Sequence, residues 1–452
     1  MIKKLIRKLS TRKKNEDHCP PTVVSRESHQ ISRNDISANA LKVINRLTQS
    51  SFQAYLVGGS VRDLLLDSKP KDFDIATDAT PEQVKTLFRN SRIIGRRFRI
   101  VHVQFGREII EVTTFRGENS KSSQQVESDT GQLLRDNVYG NLESDALRRD
   151  FTANALYYCA ENSNIYEYTT GLEDINKRQL RMIGDPVTRY KEDPVRLLRA
   201  IRFAAKLGFH IEEKTASVIP QQANLLSHIP PARLFEEVLK LFLHGYASAA
   251  YYLLKDNGLL LQLFPDTVPL LDNRIYDRLV ELTMANTDRR IRSDKRVTPA
   301  FIFAAMLWPP LLEQVKYLQT QNLVRSEAFH QACEWVISRQ LQHVMIPKRF
   351  LITMRQIWDL QWRLPRRQGK RAYNLMEHSK FRAAYDFLLL REDAGEDLQG
   401  LGQWWTDFQK ANETEQAAIV KKLDSPSGQQ RHNKDDFSSP LGASDQESTA
   451  GD

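Results

Sequence analysis

What this sequence has little of narrows it first. Its 452 residues include only three cysteines, Cys19, Cys159 and Cys333, far apart and odd in number. That excludes a disulfide scaffold, shows no zinc spacing, and suits a reducing compartment. No apolar run approaches a membrane span in length, and no signal peptide with a cleavage site is visible, so a cytoplasmic protein is expected. The ten histidines are dispersed, and none forms the histidine–aspartate pair on which a metal-dependent phosphohydrolase would rest. No internal repeat is present. A chain this long buries ample core without a metal or disulfide staple.

Charge is what the chain has in excess: net +9, with an isoelectric point near 9.3. Residues 1–14 carry seven Lys/Arg and no acid, whereas 424–452 carry six acids against two bases. With both ends set aside the remainder still holds +6, so the basic excess belongs to the body and points to a polyanionic partner. Residues 1–32 read as a disordered basic arm. Within it Ile2, Leu5, Ile6 and Leu9 fall at helical spacing, compatible with weak contact on an anionic membrane surface. A frayed arm adding non-specific RNA affinity is the preferred reading.

The pattern predicts an α+β protein. A mixed α/β head with a small sheet spans 33–180, a helical neck 181–240, a helical body 241–423, and a disordered polar tail 424–452. Order is expected from near Ser37, with a helix through Leu47. The head should contain a hairpin of 98–105 and 108–115 around Gly106-Arg107, and 118–132 reads as a flexible loop.

The sharpest signal is LVGGSVRDLLL at 56–66 followed by KPKDFDIAT at 69–77. Residues 53–57 read as a strand, Gly58-Gly59 as the turn, and Ser60 as the N-cap of a short helix. Glycines let backbone approach phosphates, the free amides of a helix start favour anionic oxygens, and Arg62 adds a cation. On a strand, Asp72 and Asp74 share one face, with Phe73 and Ile75 toward the core. Two carboxylates so close call for a cation, and magnesium is the natural occupant. Glu111, an acid inside the apolar run at 109–113, is a candidate third carboxylate, unless it simply faces solvent.

LVGGxVRDxLL followed by DxD resembles the head signature of the class II nucleotidyltransferases, which include bacterial poly(A) polymerases and tRNA CCA-adding enzymes. The resemblance implies template-independent transfer of a nucleoside monophosphate from a triphosphate to an RNA 3′-hydroxyl, by a two-magnesium mechanism. RRDFTANAL at 148–156 is similar to a motif that contacts sugar and phosphates. By that likeness Arg149 clamps the triphosphate, Asp150 and Asn154 lie near the ribose, and Asp150 rivals Glu111 as the third acid. EDPVRLLRAIR at 192–202 resembles the family's protein template. Glu192 opens that motif, Asp193 and Arg196 would choose the base by hydrogen bonds, and Arg199 and Arg202 would line the pocket. In 354–391, nine Lys/Arg face three acids, interleaved with Trp358, Trp362, Tyr373, Phe381 and Tyr385. This reads as a single-strand RNA track, as an amphipathic helical pair with its aromatics in the core, or as both at once, with the aromatics buried and Arg366, Arg367, Lys370 and Arg371 on the RNA backbone.

Segments outside the motifs, among them IIEVTTFRG at 109–117 and IPPARLFEE at 229–237, resemble the bacterial poly(A) polymerase I group over roughly 30–415. That implies ATP as substrate, mRNA and small-RNA 3′ ends as partners, RNA turnover as the outcome, and RNA-decay proteins as associates. The acidic tail departs from the arginine-rich ending common in that group. The alternatives are a tRNA CCA-adding enzyme and a non-catalytic RNA-binding protein.

Overall fold

The computed structural model describes residues 20–95, 98–117, 125–127, 133–136 and 138–423, the side chains of 125–127 and 133–136 excepted. The basic segment 1–19, most of 118–132 and the tail 424–452 lie outside the described residues. The chain divides into two compact units between Gln222 and Ala223. The segment 181–240, expected to stand as a neck, is therefore shared between them. No described helix is long and apolar enough to cross a membrane.

The first unit is built on strands β1 (Thr22–Val24), β2 (Ala54–Val57), β3 (Asp74–Thr77), β4 (Ser91–Ile94), β5 (Ile100–Phe105), β6 (Glu108–Thr114), β7 (Gln125–Glu127), β8 (Leu133–Asp136), β9 (Leu156–Tyr158) and β10 (Ile165–Glu167). Eight of them form one mixed sheet in the order β1-β10-β9-β2-β3-β6-β5-β4, while β7 and β8 pair only with each other. The β5–β6 hairpin turns at Gly106-Arg107 as expected, with Phe105 opposite Glu108 and Gly106 at φ 61°. Helix Ala38–Gln49 also forms as read, capped by the Ser37 side chain, which accepts from the Asn39 and Ala40 amides.

Order begins earlier than the sequence suggests. β1 adds to the edge of β10, with Val23 opposite Tyr166. His29 then bonds the Ser163 carbonyl at 2.9 Å, and Arg33 donates to the Ala160 carbonyl at 2.7 Å. Ile31 and Ile36 are buried. Three residues of backbone pairing and two apolar anchors thus order part of the expected arm, although its composition alone gives no such signal.

The second unit is helical throughout its described length. Most of the aromatics in 354–391 belong to its core. Trp358 is fully buried and donates its indole N–H to the Ala304 carbonyl at 3.0 Å. Phe381 and Tyr385 pack with Trp405 and Phe408, and Tyr373 lies against them. Trp358, Phe381 and Tyr385 are core, whereas Trp362 and Tyr373 are half-buried. Arg366, Lys370 and Arg371 are exposed, whereas Arg367 is half-buried with its guanidinium 5.1 Å from the Trp404 ring.

Candidate active site

The sheet register assembles the site. Val57 at the end of β2 stands opposite Tyr157 on one side and Asp74 on the other. Asp74 is in register with Glu111 on the parallel strand β6, and Glu111 with His102 on β5. Directly opposed residues point to the same face, so Tyr157, Asp74, Glu111 and His102 form a row across that face. The Gly58-Gly59 turn leaves the sheet one residue beyond Val57.

The turn differs from its expected form. Gly58, not Ser60, is the N-cap of helix Gly59–Leu65, at φ 74° and ψ −130°, a conformation open in practice only to glycine. Ser60 is buried inside the helix and donates its hydroxyl to the Val57 carbonyl at 3.1 Å. Asp72 likewise departs from the reading: β3 begins at Asp74, so Asp72 sits in the preceding bend, exposed. Phe73 and Ile75 are buried as expected.

Asp74 is where the electrostatics concentrate. Burial, then the neighbouring Glu111 carboxylate, push its carboxyl up to about 6; Arg149 opposes this and Asp72 adds to it. Glu111 accepts from the His102 ring at 3.1 Å and is 43 % exposed. A half-buried carboxylate among other carboxylates lowers its free energy by taking a cation, and an all-oxygen donor set suits a hard one. Among the described residues no three His, Cys, Asp or Glu side chains close into a metal cage. A few carboxylates short of a cage are the donor set of magnesium sites that keep water and substrate phosphate.

Arg149 connects these parts, and its posture comes from residues the sequence reading passed over. Its Nη1 lies 3.5 Å from where a Cβ on Gly58 would stand. Its other nitrogens donate to Asp145 at 3.0 and 3.2 Å and to the Tyr157 hydroxyl at 2.9 Å, and that hydroxyl donates to Asp145 at 2.7 Å. Burial opposes ionisation of Asp145, yet Arg149 and Arg116 bring its carboxyl down to about 2. One of two acids in helix Leu142–Arg148 and one of two tyrosines in strand β9 carry no local signal; only their spacing to Arg149, four before and eight after, hints at contact.

Asp150 is half-buried and held in an ion pair with Arg199. Although burial raises its carboxyl, the Arg199 guanidinium holds it well below the usual carboxylate range, helped by Asn154 at 3.2 Å and the Phe151 amide at 2.8 Å. Asn154 in turn accepts from Arg62 at 2.5 Å. The position beside Asp74 in the sheet belongs to Glu111. Arg62 is 2 % exposed and also binds Asp63.

Helix Val195–Leu207 carries Arg196, Arg199 and Arg202 three residues apart, while Val195, Leu198 and Ile201 are buried. Three guanidiniums surround the Phe203 ring: Arg202 at 5.0 Å, Arg199 at 5.2 Å and Arg62 at 5.3 Å from its centroid. Glu192 accepts from Arg196 at 2.9 Å and from Arg189 at 2.8 Å, and Arg196 also donates to the Arg189 carbonyl. Arg189, which the sequence did not single out, reaches the carbonyls of Arg148 and Arg149 at 2.7 and 2.6 Å. Burial and the Arg196 charge bring its own pKa down to about 10. Asp193 ends the preceding helix, Pro186–Glu192. Arg366, Arg367, Lys370 and Arg371 lie in the second unit.

The chain matches three family profiles: Poly A polymerase head domain over 54–181, Probable RNA and SrmB- binding site of polymerase A over 208–271, and Polymerase A arginine-rich C-terminus over 321–436. Poly(A) polymerase I of Salmonella typhimurium is 51 % identical over 413 residues, covering 89 % of each chain. The CCA-adding enzyme of Lactobacillus helveticus is 36 % identical over 262 residues, 55 % of this chain and 64 % of that one. Among solved structures, the Bacillus stearothermophilus CCA-adding enzyme in complex with CTP superposes with a TM-score of 0.53 at 26 % identity, over 87 % of this chain and 90 % of that one.

Proposed function

Because the chain belongs to the bacterial poly(A) polymerase I family, we propose that it is a template-independent polynucleotide adenylyltransferase using ATP to extend RNA 3′ ends. The observation that carries this is the register that sets Asp74 opposite Glu111, one strand from the Gly58 turn against which Arg149 rests.

In this reaction the RNA 3′-oxygen attacks the α-phosphorus of ATP, its proton leaves, and the bond to the β-phosphate oxygen breaks to release pyrophosphate. Asp72 and Asp74, with Glu111 beside them, would hold magnesium, which when bound acidifies the attacking hydroxyl and offsets charge on the leaving pyrophosphate. The amides of the Gly58-Gly59 turn and the Arg149 guanidinium receive phosphate oxygens. Asp145 and Tyr157 keep that guanidinium in place. Asp150 binds Arg199 and Asn154, so it orients the nucleotide pocket and leaves the third-acid role to Glu111.

Asp193 and Arg196 choose adenine by hydrogen bonds, with Glu192 and Arg189 fixing the Arg196 side chain. Arg62, Arg199 and Arg202, gathered around Phe203, give the pocket its positive wall. The second unit contacts the RNA strand, with Arg366, Lys370 and Arg371 on its phosphates. The substrates are mRNA and small-RNA 3′ ends in the cytoplasm, where added tails promote turnover in company with RNA-decay proteins.

Primer extension on an unstructured labelled RNA, with magnesium and each nucleoside triphosphate offered singly, tests the reading. A long ladder with ATP alone is expected. Two C additions and one A on a trimmed tRNA, with no ladder on the unstructured RNA, would move the chain to the CCA-adding branch. Asp72→Ala and Asp74→Ala should each abolish incorporation with RNA binding intact. Arg196→Ala should lower the ATP:CTP preference, and an unchanged ratio would remove Arg196 from base choice.

A further inference from the structure

Five cations, Arg289, Arg290, Arg292, Lys295 and Arg296, fall within eight residues against the single acid Asp294. The segment ends helix Arg274–Arg292, inside the second unit and beyond the residues matched by the RNA-binding profile. There it borders a cleft of about 370 Å³ whose far wall is helix Phe381–Asp393. The volume is at the lower end of small-ligand pockets, which run from roughly 300 to 1,000 Å³. It suits one nucleotide better than a folded partner.

The lining is differentiated. Asp386 accepts from Arg382 at 3.0 Å and faces Arg290 at 3.6 Å. Burial raises its carboxyl, and the two guanidiniums work against that rise. One half-buried acid thus holds two cations converging on the cleft. Arg290 also donates to the Arg296 carbonyl at 3.3 Å, while the Lys295 amide bonds the Arg290 carbonyl at 2.9 Å. This closes the chain into a tight reversal that brings Lys295 to the cleft rim. Arg289 and Lys295 are exposed at the mouth, and Leu389 and Leu390 give an apolar surface below. Convergent cations for a phosphate and an apolar floor for a ribose or base together describe a nucleotide of an RNA chain.

We infer that this cleft between Arg290 and Asp386 is a docking site for one internal nucleotide of the RNA substrate, separate from the site that receives ATP. The inference rests on the RNA-extending reading and adds a second point of attachment for the same strand. Single-strand phosphate contacts each steepen the salt dependence of affinity, by about 0.7 in the log–log slope.

The test uses the full chain and a fluorescein-labelled 15-nucleotide oligo(A), titrated at several salt concentrations without magnesium so that no extension occurs. Arg289→Glu/Lys295→Glu, two exposed changes outside the transferase machinery, should weaken binding at least about tenfold and flatten the slope by about 1.4. The KM for ATP at saturating primer should not change. Equal affinity and slope in a variant that melts with the wild type would overturn the inference. A second measurement needs no variant. Wild-type protein photocrosslinked to 4-thiouridine-bearing oligo(A) should give adducts on peptides covering 286–295 or 382–393, and adducts confined to other peptides would overturn it. Excess free AMP should leave those adducts intact. Loss of the adducts to AMP would assign the cleft to a free nucleotide and overturn the RNA source. Should the wild type extend no RNA with any triphosphate, the polymerase reading fails, while the binding and crosslinking results still judge the cleft.

Discussion

Arg199 grips Asp150 through two nitrogens, Nε at 2.7 Å and Nη2 at 2.5 Å from one carboxylate oxygen. The pair ties the segment after helix Leu142–Arg148 to the arginine-bearing helix Val195–Leu207. Asp150→Asn should therefore cost about 1.5–3 kcal/mol, the usual value of hydrogen bonds to a charged group. Urea denaturation of Asp150→Asn, Arg199→Ala and the double variant would measure their coupling. Strictly additive losses would mean the two side chains act separately.

Asp74 makes stability depend on pH in the sense opposite to most acids. Its carboxyl is raised from 3.8 to about 6. Below pH 4 both folded and unfolded chains hold the proton, so the group has no effect. Between about pH 4 and 6 the unfolded chain releases it first, and stability falls as pH rises. Above pH 6 the penalty is complete, at about 3 kcal/mol. In chelator, Asp74→Asn should melt above the wild type at pH 8 and level with it at pH 4. Magnesium at pH 8 should raise the wild-type melting point and leave that of Asp74→Asn nearly unchanged.

Tyr157→Phe removes one hydroxyl that bridges Asp145 and Arg149. The fold should persist, because Asp145 still pairs with Arg149 and Arg116. The guanidinium loses a restraint, so KM for ATP should rise about tenfold, equal to one charge-assisted hydrogen bond of about 1.4 kcal/mol. Steady-state kinetics would show it. A fall in kcat with KM unchanged would detach Tyr157 from phosphate binding.

At the turn, Gly58→Ala should destabilise by about 1–3 kcal/mol through backbone strain alone, since the nearest side-chain atom is a comfortable 3.5 Å from the new methyl. Ser60→Ala gives up a single bond to the Val57 carbonyl and should cost about 1 kcal/mol. Thermal melts of the two variants would rank them. A larger loss at Ser60 would return the capping role to it.

Where contacts are local, the sequence is a good guide. The Ser37 cap, the Gly106 reversal and the apolar stripe of helix Val195–Leu207 each lie within a few residues of the signal that announces them. The carboxylates were also visible, Asp72 and Asp74 by their two-residue spacing and Glu111 because it interrupts an apolar run. What stayed hidden is pairing between distant segments. Asp145, Tyr157 and His102 acquire meaning only through the register of β9, β2, β3, β6 and β5, which no short window contains. The ion pair of Asp150 was hidden because its partner, Arg199, lies 49 residues away. The aromatics of 354–391 were ambiguous because a stacking track and a helical core use the same rings at the same spacing.

Strand β1 has one more consequence. It is three residues long and sits at the outer limit of the sheet, shielding the backbone of β10. Truncation beyond Val24 would leave the β10 amides and carbonyls as an open template for another chain. Such a shortened protein would lose little folding energy yet gain a sticky margin, and its difficulty would be clumping at high concentration more than unfolding. For anyone trimming this polypeptide, the safe cut lies ahead of Thr22.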